Sequence, residues 1–146
     1  MTGRQVITLK LGPDDKPSST SADDTSYAFD ILNSDARLAF GLGRAIENLA
    51  DLGIVPSETA IDLSLLSVAL TAADTRISRD ANAQDGWSRE LGLDVPVSDP
   101  ALWRTVEPLL AKMLNFLTGD RCEPPRFHRR PISPCYATIS SVFKFA

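Results

Sequence analysis

Apolar residues recur along this chain with two periods, and turn residues mark where one period gives way to the other. From Arg4 to Leu11 the period is two: Val6, Thr8 and Lys10 fall on one side and Ile7, Leu9 and Leu11 on the other. That alternation, with β-branched residues in it, predicts a half-buried strand. Gly12-Pro13-Asp14-Asp15 ends it as a turn, and residues 16–26, rich in Ser, Thr and Asp, read as a mobile surface loop. Tyr27 to Leu32 is a short apolar patch, either a strand end or one helical turn.

The period then lengthens. With Ser34 as its cap, a helix is predicted through Leu38, Leu42, Ile46 and Leu49, with Gly53 supplying a left-handed stop. Gly41 and Gly43 fall inside this pattern, where close packing of another element explains them better than a phosphate-binding loop does. Pro56-Ser57-Glu58 opens a second helix. Its two apolar stripes, Ile61/Leu65/Val68/Ala72 and Leu66/Leu70/Ala73/Ile77, span so wide an arc that it should be central and largely covered.

Period two returns at the turn Asp85-Gly86. Trp87, Arg89, Leu91, Leu93, Val95 and Val97 share one parity; Ser88, Glu90, Gly92, Asp94, Pro96 and Ser98 share the other. One apolar and one polar face predict a sheet with one side in water, as antiparallel sheets allow, and Pro96 points to an edge strand or a strand end. Asp99 as N-cap and Pro100 at the first helical position start a third helix. Its main stripe is Leu102, Val106, Leu109, Met113 and Leu117, widened by Trp103, Leu110 and Leu114. Pro108 inside it predicts a kink, or a short helix that breaks and restarts. Gly119 stops it. Pro124 and Pro125 make 121–130 extended, with Phe127 packing on the sheet, and 136–145 has strand composition.

These elements predict an α+β domain over 1–130: a small, mainly antiparallel sheet with about three helices packed on one face. Its strands lie near 4–11, 87–97, and 121–129 or 136–145. Residues 131–146 read as an atypical C-terminal tail, as of a chain cut short or rewritten.

A chain of 146 residues with net charge −4 lacks the concentrated positive face that nucleic-acid backbones require, although Arg121, Arg126, His128, Arg129 and Arg130 crowd together. Cys122 and Cys135 form no CxxC pair and, with one histidine, complete no usual zinc set, so they read as reduced thiols. No metal or other cofactor is expected. The N-terminus lacks an apolar leader and no run is long enough to span a membrane, which predicts a cytoplasmic protein without a membrane partner.

Catalytic patterns are sought and not found. His128, the only histidine, lies among arginines after two prolines and reads as a surface side chain rather than a general base. The pairs Asp14/Asp15 and Asp23/Asp24 lie in loops without the apolar surround that raises a carboxyl pKa. Trp87, Arg89 and Trp103 are candidate anchors of an interface, against the plainer reading of both tryptophans as core. Arg89 points to the buried side, and a buried arginine wants a carboxylate; Asp74 and Asp120, at helix ends, are the expected partners.

The order of three segments, DLSLLSVALTAADTRISR (62–79), DGWSRELGLDVPVSDPALW (85–103) and LLAKMLNFLTGDR (109–121), resembles the N-terminal region of QueC-like proteins of bacterial anti-phage defence islands. Those proteins are similar to 7-cyano-7-deazaguanine synthase and carry a PP-loop ATP-pyrophosphatase domain with an SGGxDS-type loop. No such loop is present here, Thr75 stands where the family has a second arginine, and the residues after Arg121 depart from its aromatic strand. The resemblance implies a non-catalytic accessory module that binds a protein partner, either the QueC-like catalytic domain or its target. Asp74, Arg76, Arg79, Trp87, Arg89 and Asp120 would line the binding junction. The alternative is a small standalone nucleotide-binding protein or enzyme using Asp74, Arg76 and Arg89.

Overall fold

The computed structural model describes residues 3–11, 15, 21–31, 41–54, 56–83 and 85–130. Among them, strands β1 (Gln5–Lys10), β2 (Thr25–Asp30), β3 (Glu90–Val97), β4 (Arg121–Cys122) and β5 (Arg126–Arg129) form one sheet. The helices are α1 (Leu42–Asp51), α2 (Glu58–Arg76), α3 (Arg79–Asn82), α4 (Pro100–Arg104) and α5 (Glu107–Thr118). The expected tail at 131–146, the strand at 136–145, the Ser34 cap and the turn at 12–14 lie outside the described residues.

Helices and strands both form, but every strand pair is parallel, which overturns the antiparallel expectation. The order is β2-β1-β3-β4, and β5 also pairs with β3. Glu123 N–H donates to the Leu91 carbonyl and Arg130 N–H to that of Val97, so β4 and β5 succeed one another along the same side of β3. β3 is thus central. Its even positions, read from sequence as a solvent face, are buried too: Gly92, Asp94 and Pro96 all lie inside, and so do Val6 and Thr8 of β1. Burial on both faces is usual for parallel strands. The polar alternation misled because its residues are small or paired, not because they meet water. Pro96 fits a central strand because even residues of β3 face β1, whose ladder with β3 ends at Thr8↔Asp94. Among the described strands one edge is β2, whose Thr25 and Ser26 lie in the segment expected to be loop and are exposed; β4 and β5 form the other.

α2 packs on β1 and β3, α4 on β5 and α5 on β4. The core joins Ile7, Leu9, Leu91, Leu93, Val95, Val97 and Phe127 of the sheet to Leu65, Leu66, Ala69 and Ala73 of α2 and to Trp103, Leu110 and Leu114. Ser57 caps α2, accepting the Ala60 N–H at 3.2 Å, and Asp99 caps α4, accepting those of Ala101 and Leu102. Five helices replace the three expected, partly because the third pattern breaks between Arg104 and Glu107. Pro108 then occupies the first turn of the restarted helix, where no backbone donor is needed. The short α3 was not foreseen in the polar connector.

Two details of helix packing differ from expectation. α1 begins after Gly41 rather than running through it; Gly41 has φ 75° and no atom near where its Cβ would be, so conformation and not close packing explains it. On α4 and α5 the two apolar arcs are exchanged. Trp103, Leu110 and Leu114 are buried, and Leu102, Val106, Leu109, Met113 and Leu117 are exposed.

Candidate functional site at the start of β3

The sequence places two aspartates at helix C-termini and an arginine just before β3, and the fold brings them together. The Arg89 guanidinium, with its side chain 1 % exposed, is spent entirely inside the protein. Nε and Nη2 donate to the two oxygens of Asp120 at 3.2 and 2.6 Å, and Nη2 also reaches Asp74 at 3.1 Å. Nη1 donates to the carbonyls of Ala73 and Ile77 at the end of α2. Helix ends leave carbonyls without intrahelical donors, and Arg89 supplies one to Ile77 while sharing the Ala73 carbonyl with the Ile77 N–H.

Arg79 repeats the arrangement from outside. Its Nη1 donates to Asp120 at 3.0 Å and to the Trp87 carbonyl, and its Nη2 to Asp74 at 3.0 Å and to the Thr118 carbonyl at the end of α5. Two guanidiniums and two carboxylates make a neutral cluster that ties α2, α5 and the start of β3 together. Burial works against the Arg89 charge, but hydrogen bonds and the charges of Asp120 and Asp74 overcome it and raise its pKa above that of a free arginine. The Asp74 carboxyl is held below its usual pKa by hydrogen bonds from Arg79 and then Arg89.

Of the six residues expected at the junction, four meet: Asp74, Arg79, Arg89 and Asp120. Arg76 lies at the exposed end of α2 and makes no contact with them among the recorded hydrogen bonds and ion pairs of the described residues. Trp87 does not join β3 or the core: its side belongs to a bend, and it is 80 % exposed. Its backbone is nevertheless pinned. Asp85 Oδ1 accepts the N–H groups of Trp87 and Ser88 at 2.9 and 2.7 Å, and Arg79 holds its carbonyl. Between α2 and α5 a shallow groove of about 240 Å³ runs past the cluster, lined by Leu70, Thr71, Asp74, Thr75, Arg79, Leu117 and Thr118.

Two further buried carboxylate sites lie at the other end of β3. Asp62, 1 % exposed, accepts the Ser98 N–H and hydroxyl, the latter at 2.6 Å, and the Trp103 indole N–H at 2.9 Å; Arg130 Nε lies 3.5 Å away. Sequence reasoning passed over Asp62, though it interrupts the buried arc Asp62/Leu65/Leu66/Ala69/Ala73 at helical spacing. His128 is the second correction. It is not a solvated surface residue: its Nδ1 lies 2.8 Å from Asp94 and its Nε2 3.3 Å from Asp15. The Asp15 and Asp94 carboxylates push its pKa up to about 9. Asp15, expected in an open loop, is buried and accepts the Leu11 N–H at 3.1 Å.

Cys122 is a buried free thiol whose pKa is raised by burial, which makes it a poor nucleophile. Among the described residues no group of three or more His, Cys, Asp or Glu is placed to hold a metal ion, and no helix is long and apolar enough to cross a membrane. Comparison with protein-family models, with curated proteins and with solved structures finds no match.

Proposed function

We propose that the chain is a non-catalytic accessory module that binds a protein partner, as its resemblance to the N-terminal region of QueC-like defence proteins implies. The observation that carries this reading is Trp87: a large side chain 80 % exposed on a backbone fixed from three directions. Tryptophan is enriched among interface anchors, and a rigid base lowers the entropy lost when it docks. Arg89 and Asp120 support it from inside and are not available to a partner. The surface that remains is Trp87 with the exposed parts of Asp74, Arg76 and Arg79. A QueC-like catalytic domain, or the protein it modifies, is the partner expected.

The test is binding of a purified QueC-like catalytic domain measured by calorimetry. Trp87→Ala should weaken it at least about tenfold, the cost of one hot-spot residue. Equal affinity of the variant and the parent chain sinks the proposal.

One observation favours a second reading, a small nucleotide-binding protein or enzyme. Open parallel sheets bind ligands beyond the carboxyl ends of their strands, where the strand order reverses. Here that point lies between β1 and β3, and Asp15, Asp94 and His128 gather there. Thr8, in register with Asp94, is buried and among the described residues has no partner for its hydroxyl. A rise in melting temperature with ATP or a deazapurine would favour this reading over the first.

A further inference from the structure

We infer that the outer face of α4 and α5 pairs with the same face of a second copy of this chain, making an antiparallel two-fold dimer. The inference rests on reading the chain as an interaction module, and it concerns this helical face rather than the turn that carries Trp87.

Single exposed leucines need no explanation, but a periodic row of them does. Leu102, Val106, Leu109, Met113 and Phe116 are spaced 4, 3, 4 and 3 residues apart, and all are exposed, from 37 % for Val106 to 87 % for Phe116. Leu117 adjoins them at 63 %. The helical phase survives the break before Pro108, because Trp103, Leu110 and Leu114 are buried on both sides of it. Val106 N–H donates to the Trp103 carbonyl and Leu110 N–H to that of Val106, which carries the turn across. A mean spacing of 3.5 residues is the seam of a helix that meets another helix.

The occupant follows from area and register. The six side chains expose roughly 600 Å² on one copy, so two copies would bury about 1,200 Å², the lower bound of a specific interface. An isologous pair is self-complementary, so that where residue i meets residue j of the other copy, j also meets i. Antiparallel pairing centred beside Leu109 sets Leu102 against Phe116 and Leu117, and Val106 against Met113, so the small end of each seam receives the bulky end of the other. It also offsets the two Lys112 ammoniums along the axis, where a parallel pair would place them side by side.

Sedimentation velocity on the full chain from about 1 to about 100 µM tests this over the range expected of an interface of that size. The expected result is a species of twice 15.8 kDa. Leu109→Glu and Phe116→Glu should each raise the dissociation constant at least about tenfold. At concentrations where the parent is also monomeric their melting curves should match it, since neither side chain is buried within one copy. A parent chain that stays monomeric throughout overturns the inference, as do glutamate variants that remain dimeric. If the parent is monomeric and the same variants instead lose the catalytic domain, the face belongs to that partner, and the dimer is equally refuted. A dimer that binds no catalytic domain sinks the proposed function and leaves the dimer standing.

Discussion

β3 is anchored at both ends by a buried aspartate, and the two anchors work differently. At the entrance Asp120 receives charged donors, the guanidiniums of Arg89 and Arg79. At the exit Asp62 receives mainly neutral ones, the Ser98 N–H and hydroxyl and the Trp103 indole. Each anchor joins one end of α2 to the sheet and to the next helix along. The entrance anchor therefore holds charges that only one another can compensate. The exit anchor disperses its charge over hydrogen bonds from mainly neutral donors, with Arg130 Nε 3.5 Å away.

This difference is broken most severely by Arg89→Ala. It leaves the fully buried Asp120 carboxylate with Arg79 as its one charged donor, beside the backbone N–H of residue 89, and takes the donor from the Ile77 carbonyl. Loss of one partner of a buried pair costs about 3–5 kcal/mol. Urea denaturation should show a loss of that order, and a loss under about 1 kcal/mol would mean that Arg79 or water substitutes. Arg89→Lys should rescue little, since one ammonium cannot reach Asp120, Asp74 and two carbonyls from one position.

Alkaline pH separates the two ends without mutation. Arg89 at the entrance, its pKa raised by Asp120 and Asp74, keeps its charge, whereas His128, on the exit half of the sheet, does not. Its folded pKa of about 9 lies above the 6.5 of a free histidine. Its contribution is complete below about pH 6.5 and is lost as pH rises through about 9. Asp94 and Asp15 face it, and Arg126 lies opposite Asp94 in the register. The loss should approach about 2–3 kcal/mol between those limits. His128→Gln should flatten the stability profile over that window, and an unchanged slope in the variant would assign the dependence to another group.

Asp62→Asn sharpens the contrast. The amide oxygen can still accept from Ser98 and Trp103, so the cost should be about 1–2 kcal/mol, well below that of Arg89→Ala. Equal costs at the two ends would erase the distinction. Trp103 fluorescence reports on the local geometry, because its indole N–H is the donor.

How much of this was legible in the sequence depended on whether a signal was local. The Asp99 cap, the Pro108 break and the left-handed Gly53 and Gly119 are set by neighbouring residues, and each forms as expected. The Arg89 cluster was also legible: parity pointed the arginine inward, and two aspartates at helix ends were the available counter-charges. Strand direction was not. Gly92, Asp94 and Pro96 look like a wet face, but they are buried because they are small or because Asp94 holds His128, a partner 34 residues away. The same limit exchanged the arcs of α4 and α5. Two apolar stripes on one helix are equivalent to a periodicity argument, and only the sheet beneath decides which one the domain covers.

Trp87 should show the smallest effect on stability and the largest on binding. Its indole contributes nothing to the entrance anchor; only its carbonyl does, through Arg79. Alanine keeps that carbonyl and the two N–H groups held by Asp85, so Trp87→Ala should change stability by less than about 0.5 kcal/mol. The chain contains two tryptophans, and the other, Trp103, is 6 % exposed. Acrylamide quenching of the parent chain should therefore come almost wholly from Trp87 and fall when the partner binds. Quenching that persists in the complex would show that the partner docks elsewhere. A Trp87→Ala chain that unfolds would show that the indole belongs to the entrance anchor after all, and the line between the buried half of the junction and its exposed half would disappear.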